Sequence, residues 1–202
     1  CFVGDLQNVK PDELEPFRHL LNSLQSRDGV FSVLGNHDYA GYFNGTQAEK
    51  DSIEAEMVEQ QRLMGWRLLL NDNVMVRRGS DSIYVAGMEN DGEPPFPAKA
   101  DIGKATAGIP QGAFTIMLEH DPTSWRRTIL PGCQAQLTLS GHTHGGQVGL
   151  LGITASSVRY AEDDGLYDEG GCLLYVTRGL GGLLPFRFGV PAEIVVITLE
   201  GK

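Results

Sequence analysis

Val30-Phe31-Ser32-Val33-Leu34-Gly35-Asn36-His37-Asp38 is the stretch on which the reading of this chain turns. A short run rich in apolar and β-branched residues, suited to a buried strand, passes directly into four residues that favour a turn. The same passage from strand to glycine to a ligand-type side chain occurs at Phe2-Val3-Gly4-Asp5. Between the two, residues 11–27 carry Leu14, Phe17, Leu20, Leu21 and Leu24 at spacings that predict one apolar helical face. Residues 47–64 predict a second helix, with Glu and Gln on its wet side. Beyond it, residues 68–70, 74–77, 83–86, 114–118, 136–139, 173–176 and 194–199 read as strands. Residues 89–112 hold four prolines and read as a loop with one helical turn. Strand, helix and strand early, then many strands, predict an α/β fold. Its layers are a sandwich of two mixed β-sheets flanked by helices. No repeat or linker divides the chain, so a single domain over residues 1–202 is expected.

Composition narrows the function. A net charge of −10, with no positive run longer than the pairs Arg77-Arg78 and Arg126-Arg127, argues against a general grip on nucleic acid. Phosphate backbones are held mainly by Lys and Arg. Cys1, Cys133 and Cys172 are too few and too scattered for a disulfide framework and read as buried or reduced thiols. No apolar run reaches the length of a membrane span, and no signal peptide is visible. Cys1-Phe2-Val3 reads as the end of a buried strand. The expectation is therefore that a segment precedes Cys1, carrying any targeting signal, and that the protein is cytoplasmic or membrane-associated.

The histidines locate the chemistry. Four of the five, His37, His120, His142 and His144, follow predicted strands and are flanked by small or polar residues. Ligands of open α/β sheets bind at the carboxyl ends of strands. Four strand ends thus deliver Asp5, Asn36, His120 and the His142/His144 pair to one place. Imidazoles with a carboxylate and an amide oxygen suit manganese, iron or zinc. Gly4, Gly35 and Gly141 each precede a candidate ligand, where a missing Cβ allows close backbone approach. Asp38 and Asp121, each following a histidine, are candidates to orient an imidazole. Taken singly, each signal is ordinary: Gly-Asp is usually a turn and a lone histidine usually structural. Taken in order they form a specific pattern. His19, on the first helical segment, is assigned a solvated or capping role.

That order resembles the calcineurin-like metallophosphoesterases, whose blocks are Asp-x-His, Gly-Asp-x-x-Asp, Gly-Asn-His-Asp/Glu, His and Gly-His-x-His. Gly141-His142-Thr143-His144-Gly145-Gly146-Gln147, with the later Arg178-Gly179-Leu180-Gly181 and Arg187-Phe188-Gly189-Val190-Pro191, is similar to the bacterial, often membrane-associated YkuE/YaeI-like branch. The resemblance implies that Asp5 bridges two divalent metals. Asn36, His120 and His142 complete one site, and His144 belongs to the other. It implies that His37, held by Asp38, acts at the leaving-group oxygen as a catalytic residue. Two metals about 3.5–4 Å apart would activate a hydroxide and clamp the phosphoryl oxygens. Asn8 stands where the family often has Asp. No Asp-x-His occurs in the chain, so at most one securely bound metal and poor turnover are expected of these residues.

Arg178 and Arg187 are candidates to hold a substrate phosphate, with an internal salt bridge as the alternative. The apolar loop over residues 179–188 is expected to pack on the core ahead of forming a patch for peripheral membrane contact. The expected partner is a phosphoester substrate, with lipid-linked ones included. A phosphodiesterase leads, ahead of a phosphomonoesterase and of a non-catalytic scaffold on the same fold.

Overall fold

Alternation of burial along the strands builds the layers. In the computed structural model, which describes residues 1–131 and 134–201, β1 (Phe2–Val3), β2 (Phe31–Val33) and β3 (Arg67–Leu68) form a three-stranded parallel sheet. A six-stranded sheet is assembled from β4 (Asp72–Arg78), β5 (Asp81–Gly87), β6 (Thr115–Leu118), β7 (Leu137–Ser140), β10 (Gly165–Glu169) and β11 (Cys172–Val176). Its order is β10-β11-β7-β6-β5-β4, parallel in the middle and antiparallel at both edges. A hairpin of β8 (Gly149–Leu150) and β9 (Ile153–Thr154) stands apart.

Side chains on successive residues of a strand point to opposite faces. Phe31 and Val33 of the small sheet meet Val85, Ile116, Leu118 and Leu137 of the large one, and this is the core between the sheets. The other face of the large sheet presents Ala86, Met117, Leu174 and Val176 to Trp125, Ile129 and Ala105. Ala105 ends a short helix, α3 (Ile102–Ala105), inside the predicted loop. The outer face of the small sheet is covered by Leu14, Met57, Met64 and Trp66. Helices thus flank two packed sheets, as the strand and helix pattern predicted. The smaller sheet is purely parallel.

The helix α2 (Gln47–Leu63) matches its predicted span, because its signals are local. Thr46 and Glu49 form a reciprocal capping box, and Gly65 follows with φ 75°. The predicted helix over residues 11–27 is different. Pro11–Phe17 is a 3₁₀ turn containing Pro16, followed by α1 (Arg18–Ser23). Pro16 has no N–H to continue an α-helical ladder. Only Leu14 and Leu21 of the expected apolar face reach the core, and Phe17, Leu20 and Leu24 are exposed. His19 is exposed as expected. The predicted strand over residues 194–199 is also corrected, since residues 191–200 pair with no strand among the described residues and Ile194 and Val196 lie open to solvent. Cys172 is buried and disulfide-bonded rather than a free thiol; Cys133 lies outside the described residues. Among the described residues, no helix is long and apolar enough to cross a membrane.

Candidate metal centre

Four strand ends build the site. β1 runs into Gly4-Asp5, β2 into Gly35-Asn36-His37-Asp38, β6 into Glu119-His120-Asp121, and β7 into Gly141-His142. A Cβ on Gly35 would lie 2.2 Å from the Asp5 Oδ1, and one on Gly4 would lie 2.6 Å from the Gly35 nitrogen and from the His120 Nδ1. Only glycine permits these two turns to touch. Asp5 (φ 58°), His142 (φ 69°) and His144 (φ 52°) all occupy the left-handed region, which side chains rarely adopt. Such strain costs on the order of 1 kcal/mol or more per residue and gathers at functional sites.

Asp38 holds the turns together. Its two carboxylate oxygens accept from the backbone N–H groups of Asp5 (2.8 Å), Leu6 (3.0 Å), Gln7 (3.3 Å) and Gly35 (2.8 Å). Burial and the charge of Asp5 push its pKa up to about 7 while these N–H groups pull it down. The expectation that Asp38 holds His37 is thereby corrected. The His37 Nδ1 donates instead to the backbone carbonyl of Asn8 at 2.7 Å, so a side chain other than Asp is tolerated at position 8. The His37 ring stacks on Tyr42, with centroids 4.2 Å apart, and its backbone N–H donates to the Asp5 Oδ1 at 2.9 Å.

Four acceptor atoms face one another at the centre. The His120 Nδ1–H donates to the Val3 carbonyl at 2.6 Å, which leaves its Nε2 pointing inward. That Nε2 lies 3.1 Å from the Asp5 Oδ2, 3.1 Å from the Asn36 Oδ1 and 3.3 Å from the His142 Nδ1. The His142 Nδ1 lies 2.7 Å from the same Asn36 oxygen. The Asn36 amide is oriented by its Nδ2 donating to the Tyr42 hydroxyl at 3.2 Å. His142 is oriented in the same way by its Nε2, 2.9 Å from the Tyr160 hydroxyl. Asp121 stands 3.8 Å from that nitrogen, beyond hydrogen-bond distance, and is occupied by Thr123.

A carboxylate oxygen, an amide oxygen and two imidazole nitrogens facing one another fit a divalent cation, and Asp5, His120 and His142 bring their ligand atoms within 4.8 Å of one another. The protonation of the centre agrees. Burial opposes a charge on His120, but the Asp5 carboxylate overrides it and raises the pKa to about 9. Asp5 is lowered to about 2 because His120 outweighs its own burial. Burial and the charge of His120 lower His142 to about 4. One proton on His120 stands in for the cation.

The remaining predicted residues separate. His144 is outside this group of three; its ring bonds to the Arg178 backbone and its pKa is lowered, by burial first. Arg178 makes a bidentate salt bridge to Asp164 at 2.7 and 2.6 Å, the alternative reading given for it above. Arg187 donates to backbone carbonyls, among them those of Arg178 (2.8 Å) and Gly181. Both arginines brace the loop after β11, and Arg187 also donates to the His144 carbonyl at 3.4 Å. Tyr42, Tyr160 and Phe96, whose ring meets His142 edge-on at 4.9 Å, escaped the sequence reading. They sit in loops and carry no motif.

Among known proteins, no family model and no solved structure matches the chain. Relatives do. An uncharacterized metallophosphoesterase of Aquifex aeolicus is 28% identical over 204 residues, covering 99% of this chain and 72% of the relative. The uncharacterized metallophosphoesterase YkuE of Bacillus subtilis is 30% identical over 207 residues, covering 98% of this chain and 66% of YkuE. The UDP-2,3-diacylglucosamine pyrophosphatase LpxG of Chlamydia trachomatis is 26% identical over 245 residues, covering 97% and 72%. The chain spans 50% of the length of several further relatives. It belongs to the metallophosphoesterase family of metal-dependent phosphoester hydrolases.

Proposed function

We propose that the protein hydrolyses phosphates substituted on two oxygens, the phosphodiester class, on a lipid-linked substrate. The observation that carries this reading is the convergence of Asp5, Asn36, His120 and His142 on one cation-sized centre beside His37. Those four would hold one divalent ion, with Asp5 and His144 serving a second. Such ions supply positive charge to phosphoryl oxygens and lower the pKa of a water. The protein's own groups do the rest. His37, fixed through its Nδ1 to Asn8 and stacked on Tyr42, keeps its Nε2 for the proton that the leaving oxygen requires. Asn8 and Tyr42 set the direction of that nitrogen.

The diester preference follows from charge. A monoester brings a dianion, yet Arg178 and Arg187 are turned to Asp164 and to backbone carbonyls, in a chain of net charge −10. A doubly substituted phosphoryl group carries less charge and asks for less compensation. The lipid part rests on exposure. Core packing was expected for the 179–188 loop, but Leu183 is 65% exposed and Phe186 56%. Beside them, Leu151 at the β8–β9 tip is 93% exposed. The LpxG relative is a pyrophosphatase of a diacylated sugar nucleotide, which is lipid and phosphoanhydride in one molecule.

Rates on bis-p-nitrophenyl phosphate and p-nitrophenyl phosphate, with manganese added, test the reading. The diester is expected to turn over faster, and His37→Ala to lower kcat by about 10²–10⁴ at unchanged metal content. A faster monoester overturns the diester assignment.

A further inference from the structure

Glu119 directly precedes the ligand His120 and faces away from it. Successive residues of a strand point to opposite faces. His120 looks into the metal centre, so Glu119, like Met117 two residues before it, looks into the layer built on Trp125. Glu119 is fully buried, where a carboxyl is costly unless it is hydrogen-bonded. One of its oxygens is used twice. Oε1 accepts from the backbone N–H of Asp121 at 3.2 Å and from that of Asp91 at 3.0 Å. The first bond closes over His120 itself, joining the residue before the ligand to the residue after it. The second reaches the segment that continues β5. There the Asp91 carboxylate accepts from Ser124 at 2.8 Å and Thr128 at 2.7 Å. Asp91 also pairs with Ala98 across the loop that carries Phe96, the ring that meets His142 edge-on. The His120 carbonyl accepts from the Gly141 N–H at 3.0 Å, which ties the same turn to the one bearing His142. The other oxygen, Oε2, has no partner among the described residues, and neither has the Ser140 hydroxyl. These two side chains share a face of adjacent strands. The register pairs Leu118 with Leu139, and the Glu119 N–H donates to the Leu139 carbonyl at 3.1 Å.

We infer that Glu119 is a positioning residue for the metal centre, clamping the His120 turn to the Phe96 loop from the reverse face of the large sheet and so setting the separation of the His120 and His142 imidazoles. This rests on the reading of the centre as a cation site. Glu119 does for the large sheet what Asp38 does for the small one, with one difference. Asp38 spends both oxygens on backbone N–H groups, whereas Glu119 spends only Oε1. A glutamine offers the same single acceptor oxygen, and its NH₂ would face the unpartnered Ser140 hydroxyl. The clamp therefore depends on an acceptor at this position and not on a charge. Without it, His120 keeps the bond of its Nδ1 to the Val3 carbonyl, but its own backbone and the loop behind His142 lose their common anchor.

Calorimetric titration of the full chain with manganese, well below the unfolding midpoint, tests the clamp. Glu119→Ala is expected to weaken binding by about 10- to 100-fold, the range for groups that orient metal ligands. Glu119→Gln is expected to bind within about threefold of the wild type, because the acceptor is restored. Met57→Ala, which opens the core beneath the other sheet, serves as the stability control. It is expected to lower the unfolding midpoint and to leave manganese affinity within about twofold, since distant sites act independently. Wild-type affinity in Glu119→Ala, or a loss in Glu119→Gln as large as in the alanine variant, overturns the inference. So does an equal loss in Met57→Ala, which would make the effect one of stability. Glu119→Met fills the space without an acceptor and carries the alanine expectation if that variant does not fold. The ring signals of His120 and His142 in nuclear magnetic resonance spectra of the metal-free chain give a second readout. They are expected to move in Glu119→Ala and to return in Glu119→Gln. A wild type that binds no manganese sinks the reading of the centre, and the ring signals then decide alone: unmoved signals in Glu119→Ala overturn the clamp.

Discussion

Asp38 accepts four backbone N–H groups from two separate turns. It is the joint between the turn bearing Asp5 and the turn bearing Asn36, and its role is visible only when both are in place. An amide has one acceptor oxygen where the carboxylate has two. Asp38→Asn therefore leaves two buried N–H groups facing an NH₂, at about 1–3 kcal/mol for each. The expected result is a lower unfolding midpoint together with loss of metal retention on gel filtration. An unchanged midpoint with lost activity alone would instead place Asp38 in the chemistry, as the family resemblance implied. The sequence identified Asp38 as important by its place after His37, but local order could not say which atoms it touches.

At the scale of elements, the strand ends were legible because each is a local event: a β-branched run, a glycine, then a polar ligand. Signals that need a neighbour were not. Residues 194–199 have the alternation of a strand and no strand beside them to complete a ladder. β10, Gly-Leu-Tyr-Asp-Glu, lacks the apolar pattern and forms because β11 offers an edge. The 179–188 loop is pinned by one side chain. Gln147 donates to the carbonyls of Leu184 and Phe186 and accepts from the Leu184 N–H. Pinned by its backbone, this loop turns apolar side chains outward beside the segment that follows His144. Leu183→Ser with Leu184→Ser is expected to weaken sedimentation with anionic liposomes several-fold, the scale of two exposed leucines removed from an apolar contact. The unfolding midpoint should hold, because neither side chain is buried. Undiminished liposome binding would remove the lipid contact from the proposal.

At the scale of the whole molecule, the two sheets meet through Phe31, Val33, Val85, Ile116, Leu118 and Leu137, and that rigid sandwich sets the spacing of the four strand ends. Those ends leave a centre that fits a divalent cation. In its absence a proton on His120, whose pKa is raised to about 9, fills the centre. Below that pH, binding must displace the proton, so affinity falls by up to about tenfold per pH unit. A fixed concentration of manganese is expected to raise the unfolding midpoint most at pH 8.5 and progressively less toward pH 6. The shift should be absent at every pH in His142→Ala. At pH 8.5 and a hundredfold excess over Kd the gain is about 2.7 kcal/mol. A shift that does not depend on pH would mean that His120 is not among the ligands.

By itself the sequence determined the layered α/β class and singled out the candidate ligands Asp5, Asn36, His120, His142 and His144 and the catalytic candidate His37, of which Asp5, His120 and His142 converge in the structure. Each of these is written in a few adjacent residues whose chemistry and turn preference act locally. Only the tertiary structure decided that Asp38 serves the backbone, that Arg178 and Arg187 brace a loop, and that Tyr42, Tyr160 and Phe96 pack against Asn36 and His142. Hydrogen-bond partners, ring contacts and free charges depend on which distant segments meet, and that is fixed by how the sheets pack rather than by any short run of residues.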